Sequence, residues 1–461
     1  MSQSELQYAG EYLIDECKII STTGQPFDII DIVETINFYE HIYSNTITGS
    51  IILKDTTNIV MNLPIIGEER LSLKILTPQT SPQPETVIDY TLTPLIIHKI
   101  NTQEGVGENA QIVSLQFCSI ESFRNQTSRV SQSYKGTTTD IVEKILRDEQ
   151  YLRSKKRFYK ESSANLAKVV FPNYRPFKCI DYLTSISNSA TNNSSPSYLF
   201  FETTKGYHFR TFDGLCKEPI KFYFREHIGS ELNESKATDA KLTMETLVKF
   251  QRVQKKDTLN NINNGMISSR LITHDVYNKK IDNYNFDYLS NFPNDFHPDE
   301  GESRPIISQS PDPETGKILS EQTDTKLYVT STSFGQSFSE GDNYPYQSEN
   351  YNQTIQRKHS RMSQFSNGIV LSIEVPGQTF IQVGDKINLE VGSTSTTVDE
   401  SDDDSLTGTY IVMKLRHIFI QSRENKHRIL MEVARDSKIG DVLPSQGVGQ
   451  TETGTSETIE V

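Results

Sequence analysis

Tryptophan is absent from the 461 residues, and cysteine is scarce, with four in all. The broad indole faces common in sugar-binding sites are therefore missing, although the 21 Tyr and 22 Phe can stand in for them. Cys17, Cys118, Cys179 and Cys216 lie far apart in the chain. None forms the short paired spacing that grips zinc, and they read as isolated buried thiols. No apolar run approaches the ~18 residues that a membrane helix needs, and Met1 to Glu5 is polar, so neither a membrane span nor secretion is expected. Excess positive charge is lacking as well. Sixty acidic residues against 46 basic ones give a net charge of −14, which disfavours a surface that holds phosphates by counterion release. It still permits an acidic wall past which DNA slides.

Strand patterns dominate what is present. Arg70 to Ile75 alternates strictly, and Val113, Leu115 and Phe117 share one face opposite Ser114 and Gln116. Residues 1–125 read as a first β-barrel domain. The period then changes: Thr138 or Thr139 can cap a helix carrying Ile141, Val142, Ile145 and Leu146, and Pro176 can open a second with Cys179, Ile180, Leu183 and Ile186. Tyr198–Phe201 should pair with Tyr207–Phe212 across Thr204-Lys205-Gly206, so residues 126–239 read as an α+β domain with a return connection. From 240 to 443 a second β-barrel domain is expected, with a helix capped by Asp257 and ended by Gly265. The Pro-rich, acidic stretch 282–347 reads as a surface insertion in which only Leu327–Ser331 looks like a strand. A closing hairpin centred on Ser422 would set Leu415 opposite Ile429, Met413 opposite Met431 and Ile411 opposite Val433. The Ser/Thr/Gly-rich stretch 444–461 reads as a flexible tail.

Candidate chemistry is sparse. Gly105-Val-Gly107-Glu-Asn-Ala110 fits a dinucleotide fingerprint by spacing, but a strand follows it where a helix is required, so it reads as a hairpin loop. The acidic run Asp399, Glu400, Asp402, Asp403 and Asp404 lacks calcium-loop spacing and reads as a solvated loop. His417 and His427 would face each other in the hairpin, without further metal ligands nearby. Gly335 to Gly341 is the nearest approach to a serine elbow and lacks its spacing. No catalytic, cofactor-binding or metal residue is assigned, and no enzyme activity is expected.

Three blocks carry a family resemblance. They are Gly10 to Ile20 with Ile47 to Asp55; Asp257 to Asp275; and Phe380 to Glu390 followed by Leu406 to Val412 and Met431 to Asp436. In that order they resemble the baseplate central hub proteins of contractile-tailed bacteriophages, over about residues 9–438. The resemblance implies two tube-like barrels flanking a smaller domain, and a homotrimer whose six barrels form a pseudo-sixfold ring. That ring would join the tail tube protein to the central spike protein among neighbouring baseplate proteins and let DNA pass through its lumen. The protein would then be a virion component assembled in the host cytoplasm. A receptor- or glycan-binding tail module, with Tyr284, Tyr344, Tyr346 and Tyr351 as its platform, is the competing expectation.

Overall fold

The computed structural model describes residues 8–56, 65–78, 86–106, 110–226, 244–254, 257–275, 279–299, 303–322, 325–331, 352–392, 406–421 and 425–438. The chain is mainly β with short helices between strands. The first region supplies β1 (Leu13–Ile20), β2 (Val33–His41), β3 (Thr48–Asp55), β4 (Arg70–Thr77), β5 (Thr86–Asp89), β6 (Leu95–Val106) and β7 (Ala110–Cys118). Then come α1 (Ile120–Thr127), α2 (Thr138–Arg147), α3 (Pro176–Ile186) and the hairpin of β8 (Tyr198–Thr203) and β9 (Gly206–Thr211). Beyond these lie β10 (Phe222–Glu226), β11 (Lys249–Gln254), α4 (Thr258–Asn264), β12 (Ser268–Asp275), β13 (Lys280–Asp287) and β14 (Leu327–Ser331). The chain closes with α5 (Lys358–Asn367), β15 (Ile369–Pro376), β16 (Lys386–Glu390), β17 (Gly408–Ile420) and β18 (Lys426–Arg435).

Local chemistry explains the helix ends. Asp257 Oδ1 accepts from the Asn260 amide at 2.9 Å to start α4, and Gly265 ends it at φ 75°, where a side chain would be strained. Pro176 opens α3 as expected. The cap of α2, however, is Thr137, not Thr138 or Thr139, and its hydroxyl accepts from the Asp140 amide. The two later threonines are buried inward instead. Thr138 accepts from Ser187 Oγ at 2.7 Å, and Thr139 donates to the Glu161 carbonyl at 2.9 Å.

The two β-regions that the sequence suggests as separate domains are hydrogen-bonded into one sheet of 15 strands. The link is β17, which runs for 13 residues. One of its edges pairs with β18 from Ile411 to Ile420. Its other edge is shared: Gly408 to Ile411 pairs with β16, and Lys414 to Ile420 pairs with β2 of the first region. A bulge between Val412 and Lys414 marks the handover. Accordingly Phe419 packs in the first core with Tyr12, Ile36, Phe38, Leu73, Val113 and Phe117, while Ile411, Leu415 and Met431 pack in the second core with Ile369, Leu371 and Leu389.

The hairpin register differs from the expected one. Leu415 stands opposite Met431, His417 opposite Ile429 and Phe419 opposite His427, a displacement of two residues. Above the bulge Val412 faces Val433, and Ile411 faces Ala434. A two-residue slide keeps every side chain on its face, so apolar matching alone does not distinguish the registers.

The expected surface insertion opens with structure of its own. Strand β13 alternates Tyr284 and Phe286 inward with Ile281, Asn283 and Asn285 outward, and it pairs with β12, whose other edge takes β14. Tyr288 and Phe292 are then buried in a small cluster of their own.

Candidate functional site

The seam between the β-regions is the first candidate. The His427 amide donates to the Gly10 carbonyl at 2.8 Å, and the Gly377 amide donates to the His427 carbonyl at 2.8 Å, so the segment leading to β1 lies against β18. A Cβ on Gly377 would sit 2.0 Å from His427 Cγ, so only glycine lets the imidazole occupy that place. His417 Nδ1 and His427 Nε2 are 3.0 Å apart, and Phe419 stacks on His427 with ring centroids 4.0 Å apart. Burial pushes both imidazoles down, His417 to about 3, so the pair is neutral near pH 7 and one ring donates to the other. The two imidazoles meet although the residues are not paired across the ladder. Among the described residues, no three His, Cys, Asp or Glu side chains come together as metal ligands.

The α+β region is tied to both β-regions through buried charge. From β8, Glu202 accepts from Ser119 Oγ at 2.8 Å, from the Ile47 amide at 2.9 Å and from Lys156 Nζ at 2.5 Å, while the same ammonium meets Glu121 at 2.8 Å. From β2, Glu40 receives the Thr204 amide at 2.7 Å and the Val383 amide at 3.0 Å, pinning the β8–β9 turn and the loop before β16 together. Burial lifts the Glu40 carboxyl to about 7 despite those two hydrogen bonds.

On the other side Arg361 of α5 is fully buried and holds Asp213 Oδ1 at 3.1 Å, Asp436, the Phe296 carbonyl and Gln364. His297 closes on Asp436 at 2.8 Å. Burial alone would raise Asp436, but the charges of His297 and Arg361 hold it well below the carboxylate range, and Asp436 in turn raises His297. One turn earlier Arg357 pairs with Asp295 at 2.8 Å and donates to the Asn193 carbonyl at 3.0 Å. These contacts fix three parts of the chain in one geometry. They form a rigid joint.

Of the residues singled out in the sequence, Gly105 and Val106 lie in β6, paired with Gln111 and Ala110 of β7, so part of the expected hairpin loop is strand and a strand, not a helix, follows the glycine motif. Tyr284 lies half-buried opposite Leu271, its carbonyl taking Gln356 Nε2 at 3.3 Å, and offers no open platform. Tyr344, Tyr346, Tyr351, the serine stretch 335–341, the acidic run 399–404 and the tail 444–461 lie outside the described residues. Sequence reasoning passed over Glu40, Glu202, Arg361 and Asp436. A signal existed for Glu40: it continues the inward series Ile36, Phe38 along β2, where a carboxylate needs dedicated partners. Among the described residues no helix is long and apolar enough to cross a membrane.

No family model and no curated protein matches this sequence. Solved structures do. The tail protein from Neisseria meningitidis MC58 matches at 11% identity and a TM-score of 0.51, with 92% of this chain and 97% of that chain covered. The 43 kDa tail protein of prophage MuSo2 from Shewanella oneidensis matches at 6% identity and a TM-score of 0.50, with 91% and 98% covered. At these identities the likeness is one of fold, and it spans nearly the whole of each chain. The chain has the β-rich fold of these tail proteins.

Proposed function

We propose that the chain is the central hub of a phage-type tail baseplate, a non-enzymatic structural protein that works as a homotrimeric ring between the tail tube and the central spike. The carrying observation is the shared β17–β18 hairpin. A threefold ring that meets a sixfold tube needs two similar β-units per chain held at a fixed angle. A strand ladder common to both units supplies that angle through hydrogen bonds, where a flexible linker would leave it free.

The strand path supports a tube-like reading of each unit. In the second unit β10 pairs with β16, β16 with β17, and β17 with β18. Then β18 pairs with β15, and β15 with β11, while Thr246–Leu247 pairs back with β10 and the Val248 amide donates to the Glu374 carbonyl. A tube-like second unit accords with that path. In the first unit the Gly10 contact brings β18 to the entry of β1, and β17 pairs with β2.

In this reading neighbouring baseplate proteins surround the ring, which belongs to the virion and assembles in the host cytoplasm. DNA passes through the lumen without specific binding, since a chain of net charge −14 repels phosphate. Mass measurement and negative-stain imaging of the purified protein test it: a ring-shaped trimer is expected, and a compact monomer that never joins tail partners rejects it. A lumen of clearly positive potential would remove the DNA-passage step.

A further inference from the structure

A cleft of about 800 Å³ opens beside the buried joint, with Lys217, Phe296, Asp299, Ser303 and Arg304 in its wall. Most of the other polar groups that line it are engaged within the chain. Asp295 holds Arg357, His297 lies between Asp436 and the Phe292 carbonyl, and Lys386 Nζ donates to the Cys216 carbonyl at 3.1 Å. Two groups are different. Asp299 is only 5% exposed and its Oδ1 accepts from the Thr409 amide at 2.7 Å, but its buried Oδ2 has no hydrogen-bond partner among the described residues. The Lys217 ammonium lies 3.7 Å from the centre of the Phe296 ring and makes no ion pair among the described residues.

Elsewhere in this chain a buried carboxylate fastens a passing segment by its amide. Glu40 takes the Thr204 and Val383 amides, Glu202 the Ile47 amide, and Asp213 the Phe296 amide. The open oxygen of Asp299 calls for one more N–H, because a buried acceptor without a donor destabilises its site. Strand pairing shows which segment passes. Arg304–Pro305 runs antiparallel to Ser437–Lys438, with Arg304 opposite Lys438. Carried on past Lys438 in that direction, the ladder runs beside Ser303, whose Oγ donates to the Asp299 carbonyl at 3.3 Å. The sequence continues as Ile439-Gly440-Asp441-Val442-Leu443, outside the described residues, and from 439 to 461 it holds Asp441, Glu452, Glu457 and Glu460 but no lysine or arginine.

We infer that residues 439–443 of the same chain dock in this cleft, a backbone amide of the segment donating to Asp299 Oδ2 and the Asp441 carboxylate pairing with Lys217. Three extended residues span about 10 Å, enough to cross a cleft of this volume from Lys438. A carboxylate on the ammonium makes a charge-assisted contact, and an all-acidic segment has no cation to be turned away by Lys217. The docked segment straps the wall from Asp295 to Asp299, which itself holds Arg357 through Asp295 and Arg361 through the Phe296 carbonyl. The strap thus closes over the rigid joint. It does not depend on the ring reading.

Hydrogen exchange of the full-length chain tests the docking, with thermal melts confirming that each variant is folded. In the wild-type chain the amides of residues 440–443 should exchange about tenfold or more slowly than those of 450–461. Lys217→Glu and Asp441→Lys should each remove most of that protection, and the two combined should restore it by exchanging the charges. Asp299→Asn, which keeps an oxygen for the Thr409 amide and turns a donor toward the segment, should lower it as well. Wild-type residues 440–443 that exchange as fast as 450–461 overturn the docking, and so does protection that all three single variants leave unchanged. Protection that fades on dilution assigns the segment to a second copy and overturns the strap within the chain.

Discussion

Arg361 sits where three carboxylates, Asp213, Asp295 and Asp436, raise its hold on a proton against the cost of burial. Removing the guanidinium leaves Asp213 and Asp436 buried without their shared cation. Arg361→Met should therefore lower stability by about 3–5 kcal/mol in urea unfolding, and Arg361→Lys should recover only part of it because an ammonium lacks the planar fork. Glu40 gives a pH signature of definite sign. Burial pushes its folded carboxyl up to about 7 from the ordinary 4.5, so between those values the folded chain keeps a proton that the unfolded chain has lost. The associated stability is fully present below the lower value and is lost as pH rises through 7. Thermal melts at pH 5 and pH 8 should show that Glu40→Gln flattens this fall, whose size is on the order of 2–3 kcal/mol. The histidine pair has the opposite slope. With both folded values depressed by burial, its contribution is present above the ordinary imidazole range and fades as pH falls toward 3. A His417→Leu/His427→Leu double variant should lose less stability than wild type between pH 6.5 and pH 4.

At the scale of elements, helices and strands follow local chemistry closely, and their pairing does not. Asp257 with Gly265, Pro176, and the Tyr198 and Tyr207 strands all sit where capping and alternation place them. The β17–β18 register escapes because two rungs of slide preserve both faces, and what selects between them is long-range: β2 on the outer edge, the bulge at Met413 and the Gly377 slot for His427. The buried joint escapes for a related reason. Asp213, Asp295, Arg361 and Asp436 are scattered along the chain and meet only in space, so no spacing rule marks them. Phe419 tests the shared element directly. Although it lies late in the chain, Phe419→Ala opens the first core, with an expected cost of about 3–5 kcal/mol. Hydrogen exchange should report the loss of protection in β2 and β7 more than in β15 and β16.

For the whole molecule, the shared hairpin means that the β-regions stand or fall together. A chain ending before Gly408 should fail to give a protease-resistant first region, because β2 loses its partner along Thr35 to His41 and the first core loses Phe419. Limited proteolysis of the truncated and full-length chains reads this out, and a stable N-terminal fragment from the truncated chain would show that the first region closes without β17. The same arrangement sets an order of events during synthesis on the ribosome. The strands β1 to β7 emerge first, yet the pair that completes their sheet is made roughly three hundred residues later, a wait on the order of 15–60 s at ordinary translation rates. Through that interval the nascent chain carries the open β2 edge and an unfilled core, surfaces that invite pairing between neighbouring chains on a polysome. Chaperone supply, more than the stability of the finished fold, should then govern the yield of soluble protein.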